Sequence, residues 1–215
     1  MTIVNAVDTR EFNPGQSGEP FRRGMSVPDG ATVVGIVGRI GLGKGHEVFV
    51  EAAIRVLARG SAVRFFVIGD TMFSEDAWRT DELRRRAKEA GCGDRIRFVG
   101  YRHDIPKIMR GLDVLVLASE AEPCGRVLFE AMASGTAVVA TNTGGTPEIV
   151  RDGMEGILIP PRNPEALADA IGILINDPPL REKLGRNGMA RVLQEFAVDR
   201  YVARTLEVYE QALSR

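Results

Sequence analysis

Cysteine is nearly missing from these 215 residues: Cys92 and Cys124 are the only two, and they form no Cys-x-x-Cys spacing. That scarcity excludes a disulfide framework and a cysteine-built zinc site, and it suits a reducing compartment. Histidine is equally sparse. His46 and His103 lie far apart in the sequence, with no His-x-x-x-His pattern and no Asp-x-Asp pair, so no metal is expected and no bound cofactor. Neither sign of charge dominates: 28 Lys and Arg face 29 Asp and Glu, for a net charge of −1. A sequence pI near 6.2 removes any bulk electrostatic case for nucleic acid as a partner. No apolar run approaches the roughly 20 residues of a membrane-spanning helix, and the amino terminus lacks the apolar core of a signal peptide. The expectation is a soluble, cytoplasmic-type chain. Internal repeats and low-complexity tracts are also missing.

What is present is an alternation. With 44% hydrophobic residues, the chain is long enough for one α/β domain with a sizeable core. From Thr32 onward, short β-branched runs alternate with segments of helical spacing. Strands are predicted at Thr32–Gly38, Val63–Gly69, Arg95–Gly100, 113–118, 137–141 and 156–159. Helices are predicted at Glu47–Ala58, Glu75–Ala90, Ile105–Arg110, 126–134 and 146–151, then from Pro164 to Asn176. Pro178-Pro179 breaks that last one, and another runs to Glu195. About six strands, each followed by a helix, make a Rossmann-like, doubly wound parallel sheet with right-handed crossovers.

Residues 1–30 stand outside this pattern. Pro14, Gly15, Gly18, Pro20, Gly24 and Pro28 break them up, and they read as a linker or a surface strap. The domain proper is expected over 31–195, and a separate terminal helix over 196–215. In that helix Val198, Tyr201, Val202, Leu206, Tyr209 and Leu213 fall on one apolar stripe.

The stretch that organises the rest is Glu122-Pro-Cys-Gly-Arg-Val-Leu-Phe-Glu130, between the apolar runs Asp113–Ala118 and Ala137–Thr141. Pro123 keeps Glu122 extended and Gly125 allows a tight turn, so a helix is expected from about Arg126. Glu122 then sits in a loop at the carboxyl end of a strand, the position where open α/β sheets bind ligands. The amides of Gly125, Arg126 and Val127 would open the helix with unsatisfied donors suited to an anion. Glu130 projects from the helix one turn later. Three other readings remain open at this point, the first being that Glu122 is only a solvated loop residue. Arg126 and Glu130 are four apart and could form only a surface ion pair, and paired carboxylates also do glycosidase work. The latter has no use for a helix start aimed at phosphate.

A second loop carries cations. Gly38-Arg-Ile-Gly-Leu-Gly43-Lys44-Gly45 fits the G-x4-G-K pattern but has Gly45 where a P-loop places the metal-ligating Ser or Thr. Asp113 begins its strand rather than ending it, so the second acidic element of a P-loop enzyme is lacking too. A G-x-G-x-x-G opening for NAD is also lacking. What remains is Arg39 and Lys44 at the carboxyl end of a strand, a pair able to neutralise a diphosphate; spacing alone equally allows a solvated pair of loop cations. Thr146-Pro147-Glu148 reads as a helix start, with Thr146 as cap.

Taken in order, Glu122-x7-Glu130, Ala131-Met-Ala-Ser-Gly135 and Gly144-Gly145-Thr-Pro-Glu148 resemble the carboxyl-terminal, donor-binding domain of a GT-B glycosyltransferase, of the retaining, GT4-like kind. The resemblance covers nearly the whole chain. It departs at Cys124, where an aromatic is usual, and at Ala137, where proline is usual. It implies that Arg39 and Lys44 grip the donor diphosphate, Glu122 contacts the donor sugar and Glu130 holds the ribose. Tyr101 and Arg102 would flank the base, with Gly145 and Glu148 close to the donor. It further implies metal-independent hexosyl transfer from a UDP- or GDP-sugar, with an acceptor domain or subunit completing the enzyme. The chain alone is therefore expected to be inactive. Peripheral membrane association of the full enzyme and self-association through 197–213 belong to the same expectation. Two alternatives stay open: a module that binds a nucleotide sugar without turnover, and an unrelated Rossmann-like enzyme with another phosphorylated ligand.

Overall fold

A computed structural model describes residues 3–71 and 77–214. Six strands form one parallel sheet: β1 (Thr32–Val37), β2 (Val63–Ile68), β3 (Ile96–Gly100), β4 (Val114–Leu117), β5 (Ala137–Thr141) and β6 (Gly156–Ile159). Their order is β3-β2-β1-β4-β5-β6. The chain starts in the middle, winds outward to β3, then returns to lay β4 on the other side of β1. Val34, Gly35 and Ile36 of β1 pair with Val114, Leu115 and Val116 of β4. Between these two strands the winding reverses, and a crevice opens outside their carboxyl ends.

The sheet is buried on both faces, which is why its strands read as nearly unbroken apolar runs. Helix α2 (His46–Ala58), α3 (Ala77–Glu89) and α7 (Pro164–Asn176) cover one face, meeting Val34, Ile36, Phe65, Val67 and Val139. On the other face lie α1 (Glu19–Gly24), α4 (Ile105–Gly111) and α5 (Arg126–Ala133), against Val33, Phe66, Ile68, Leu115 and Val138. A single turn, α6 (Thr146–Ile149), precedes β6, while α8 (Pro178–Arg191) follows α7 and runs into a wider turn at Val192–Phe196. The amino end of the helix expected from Glu75 lies outside the described residues; α3 is described from Ala77.

The amino-terminal segment is more deeply held than its turn residues suggest. It contains α1, which the Pro and Gly signals concealed, and it buries Val7, Phe12 and Phe21. Phe21 meets Phe66 of β2 edge-on at 5.2 Å. Its neighbour Arg22 reaches Asp113 at 2.5 Å, and the same carboxylate oxygen accepts from the Val33 amide at 2.7 Å. Asp113 thus ties this segment to the start of β1 and β4. Val7 also exchanges backbone hydrogen bonds with Phe196 and Val198, at 3.0 and 3.1 Å.

The last helix, α9 (Val198–Leu213), buries none of its residues. Its apolar stripe is present, but it does not pack on the sheet: Leu206, Tyr209 and Leu213 are 54%, 62% and 87% exposed. Among the described residues, no helix is long and apolar enough to cross a membrane.

Candidate functional site

The loop after β4 carries Glu122 into the crevice, and its neighbours on both sides hold it there. From the β1 side, the Glu120 amide donates to the Gly43 carbonyl at 2.8 Å. From the β5 side, the Thr141 hydroxyl donates to the Ser119 carbonyl at 2.6 Å and that of Thr143 to the Glu120 carbonyl at 3.0 Å. The Gly145 amide reaches the Glu122 carbonyl at 2.9 Å. That last approach is so close that a Cβ on Gly144 would stand 2.3 Å from the Glu122 oxygen, and one on Gly145 2.4 Å from the Pro123 oxygen. Only glycine fits at these two positions.

So held, the Glu122 carboxylate is almost fully buried and faces two partners. Lys44 Nζ lies 2.9 Å from Oε2, and the Ser119 hydroxyl donates to the same oxygen at 3.1 Å. Lys44 comes from the loop between β1 and α2, whose shape glycines set. Gly43 and Gly45 both have φ of +73°, in the left-handed region where glycine carries no steric penalty. Gly45 has a second reason: a Cβ there would lie 1.9 Å from the Ala118 carbonyl oxygen. This start of α2 is wedged beneath the end of β4, and no serine or threonine could occupy it. The missing P-loop hydroxyl is thus a packing requirement of this loop.

These residues enclose a cavity of about 320 Å³ lined by Gly38, Arg39, Lys44, His46, Ser119 and Glu122, together with Cys124–Val127 at the start of α5. At that start, the Arg126 amide is taken by the Cys124 carbonyl at 2.9 Å, so the expected trio of open donors is reduced. The Gly125 and Val127 amides have no backbone partner among the described residues. Arg39 is exposed at the lip. The sulfur of Cys124, at the position of the expected aromatic, accepts from Asn5 Nδ2 at 3.1 Å.

A second cavity of about 420 Å³ shares Val37, Gly38 and Arg39 with the first and extends toward Asp70, Thr71, Tyr101, Arg102 and Ile105. Tyr101 is 70% exposed and meets the His103 ring edge-on at 4.9 Å. Arg102 is clamped on Asp104 through two hydrogen bonds of 2.7 and 2.8 Å, which raises its pKa and lowers that of Asp104.

Glu130 lies one turn into α5, half-buried, and lines neither cavity. Burial pushes its pKa up from the ordinary carboxylate value; Arg126 opposes the rise and Glu11 adds to it. The alternative of a simple Arg126–Glu130 ion pair is not what the structure has: among the described residues no salt bridge joins their side chains, and Arg126 acts on Glu130 only through its field. Gly145 likewise lines neither cavity and acts on Glu122 through the backbone. Glu148 is exposed, with its carbonyl accepting from Arg191 at 2.9 Å.

The Thr146 cap is corrected. Gly145 occupies the capping position of α6, and the Thr146 hydroxyl is buried inside the turn without a partner among the described residues. The tight Gly144–Gly145 approach to Glu122 moves the helix start back by one residue. Two cavity residues carried no sequence signal toward this role. Ser119 simply follows a strand, and the spacing of His46 and His103 speaks only against a metal site. Their place beyond the carboxyl ends of two neighbouring strands, Ser119 just after β4 and His46 opening the helix after β1, is what could have drawn them in.

Residues 19–191 match the family described as glycosyl transferases group 1. A lipopolysaccharide core biosynthesis mannosyltransferase, LpsB of Rhizobium meliloti (strain 1021), is 32% identical over 98% of the chain. The chain covers 60% of that relative's length, and 54% and 52% of two further curated relatives. Among solved structures, Anabaena HepE in complex with UDP and glucose superposes with a TM-score of 0.90 at 29% identity, covering 98% of this chain and 56% of that one. The carboxyl-terminal domain of a group 1 family protein, LpcC from Francisella tularensis, solved by itself, has a TM-score of 0.82 and 36% identity. It aligns over 89% of this chain and 99% of its own.

Proposed function

The chain belongs to the group 1 glycosyl transferases, and from that premise we propose that it is the nucleotide-sugar-binding half of a GT4-like, retaining hexosyltransferase using a UDP- or GDP-sugar. One observation carries this reading: the cavity brings Arg39, Lys44, Glu122 and the start of α5 together at the point where the sheet winding reverses. The HepE complexes with UDP, with UDP and glucose, and with UDP-glucose support a UDP-sugar as the first ligand to test. The lipopolysaccharide mannosyltransferases keep a GDP-sugar in the panel.

In this proposal the leaving diphosphate gains charge as the glycosidic bond breaks, and preformed donors meet that charge without reorganising. Arg39 and Lys44 supply the cationic part, and the Gly125 and Val127 amides supply dipoles at a helix start. No metal is needed in this scheme. Before the donor arrives, Lys44 and Glu122 hold each other in place; the diphosphate then gives Lys44 a second acceptor, and Glu122 turns to sugar hydroxyls. Glu130 accepts from the ribose, with the base against Tyr101 and Arg102. An acceptor domain or subunit, facing the crevice, would complete the enzyme, and this chain alone is then inactive.

Thermal shift against UDP, GDP, ADP and their sugars tests the reading directly, because a ligand bound only by the native state raises the melting temperature. Stabilisation by none of them removes it. The two carboxylates separate by function. Glu130→Gln is expected to weaken UDP and UDP-glucose equally, by about tenfold for one charge-assisted contact. Glu122→Gln is expected to reduce only the additional affinity that the sugar confers. Equal loss of free UDP in both variants would show that the roles are not divided.

The elevated pKa of Glu130 sets a pH signature. Ribose hydroxyls donate to the ionised carboxylate, so binding favours deprotonation. Affinity is then complete well above the raised value and declines as the pH falls through it, beginning above the ordinary 4.5. UDP-glucose is the probe of choice, since its diphosphate has no titrating oxygen in that window. The decline should vanish in Glu130→Gln; its persistence there would assign it to another group.

A further inference from the structure

Among the described residues, neither ring nitrogen of His46 has a hydrogen-bonding partner, although the residue is 2% exposed. Unsatisfied buried polar atoms are rare because they are destabilising, and each calls for a reason. The backbone cannot shift to find a partner, since the preceding Gly45 is pressed against the Ala118 carbonyl. An aliphatic side chain would satisfy this position at the first residue of α2 with no polar atom to leave stranded. The side chain nonetheless lines the smaller cavity beside Lys44, Ser119 and Glu122. Burial, with Lys44 adding to it, brings its pKa down to about 4. The ring is therefore neutral near pH 7, with one N–H to donate and one nitrogen to accept.

We propose that His46 is a specificity-determining contact for the transferred sugar, hydrogen-bonding one of its hydroxyls next to Glu122. This rests on the reading of the cavity as the donor site. A neutral imidazole that both donates and accepts matches a hydroxyl, which does the same. The diphosphate is already met by Arg39, Lys44 and the helix-start amides, and cations serve it better than a neutral ring. The base and ribose are poorer matches, because His46 lines only the cavity that holds Glu122 and not the one bordered by Tyr101 and Arg102. The buried nitrogens then have their partner only when a sugar is bound. A site built in this way rejects analogues that lack the hydroxyl.

The test uses the 215-residue chain, with calorimetric titration of UDP-glucose and GDP-mannose, and of UDP and GDP as sugar-free references. His46→Leu should leave the free nucleotide unchanged and weaken the nucleotide sugar about tenfold, the loss of one neutral hydrogen bond. His46→Gln, which keeps a donor and an acceptor, should recover most of that loss. The leucine variant should melt at the same or a higher temperature, because it removes two unsatisfied buried atoms. With only two histidines in the chain, imidazole NMR on the unaltered protein gives a second readout. The His46 resonances should move with the nucleotide sugar and stay in place with the free nucleotide. Equal sugar affinity in His46→Leu, or resonances indifferent to the sugar, overturns the assignment and makes His46 a packing residue beside a buried water. Failure of the unaltered chain to bind any of the four probes overturns the donor-site reading itself, and this assignment with it.

Discussion

Replacing Arg39 and Lys44 together by alanine should lower nucleoside-diphosphate affinity by about 2–4 kcal/mol, roughly 30- to 1000-fold, as charge-assisted contacts are lost. Both cations border the same cavity, Arg39 exposed at its lip and Lys44 half-buried beside Glu122. Their structural consequences differ. Lys44→Ala strands the buried Glu122 carboxylate with only the Ser119 hydroxyl, so about 1–3 kcal/mol of stability should go with it. Adding Glu122→Gln should restore part of that stability and none of the diphosphate affinity. Calorimetry with UDP and GDP, alongside denaturant unfolding, separates the two effects. Undiminished affinity in the double variant would remove both residues from the diphosphate site.

The second large effect concerns a residue that touches no ligand in this scheme. Gly45→Ala should destabilise the fold by about 3 kcal/mol or more, a large share of what a domain this size possesses. Two terms add here: strain at a φ of +73°, and a Cβ 1.9 Å from the Ala118 oxygen that only a backbone shift could relieve. Gly43 separates them. Its φ is also +73°, but nothing lies within 4 Å of where its Cβ would be, so Gly43→Ala should carry the strain alone, about 1 kcal/mol. Urea unfolding of the two variants side by side decides the matter. Similar losses at both positions would mean that the contact with β4 yields easily. Gly45→Ser, which supplies the P-loop hydroxyl, should behave like the alanine variant and gain no nucleotide affinity.

The strands were legible because strands buried on both faces must be apolar along their length, and glycines at the carboxyl ends of β1, β2 and β3 bounded them. Glu122 was legible for a local reason: Pro123 and Gly125 fix a turn between an apolar run and a helix. What could not be read was whatever depends on two distant segments meeting. The Lys44–Glu122 pair joins residues 78 apart, and the Arg22–Asp113 clamp joins residues 91 apart. The strand order likewise follows from packing and leaves no mark on any single run. Helix α1 was hidden because proline and glycine dominate its surroundings, while the burial of Phe21 that fixes it is a tertiary fact. Thr146 misled in the opposite direction. Its sequence suits a cap, but the demand of Gly144 and Gly145 for contact with Glu122 overrode that local preference.

That contact has a hereditary consequence. The backbone of Glu122, the acid proposed to face the sugar, is held by a turn more than twenty residues downstream, through the Gly145 amide and the bare α-carbons of Gly144 and Gly145. A change in the β5–α6 turn would therefore re-aim Glu122 without altering Glu122. If Glu122 contacts the donor sugar as proposed, selection for a different sugar can act on that remote turn and leave the acid untouched. Two descendants of one ancestor could then differ in the sugar they accept while their cavity-lining side chains remain identical.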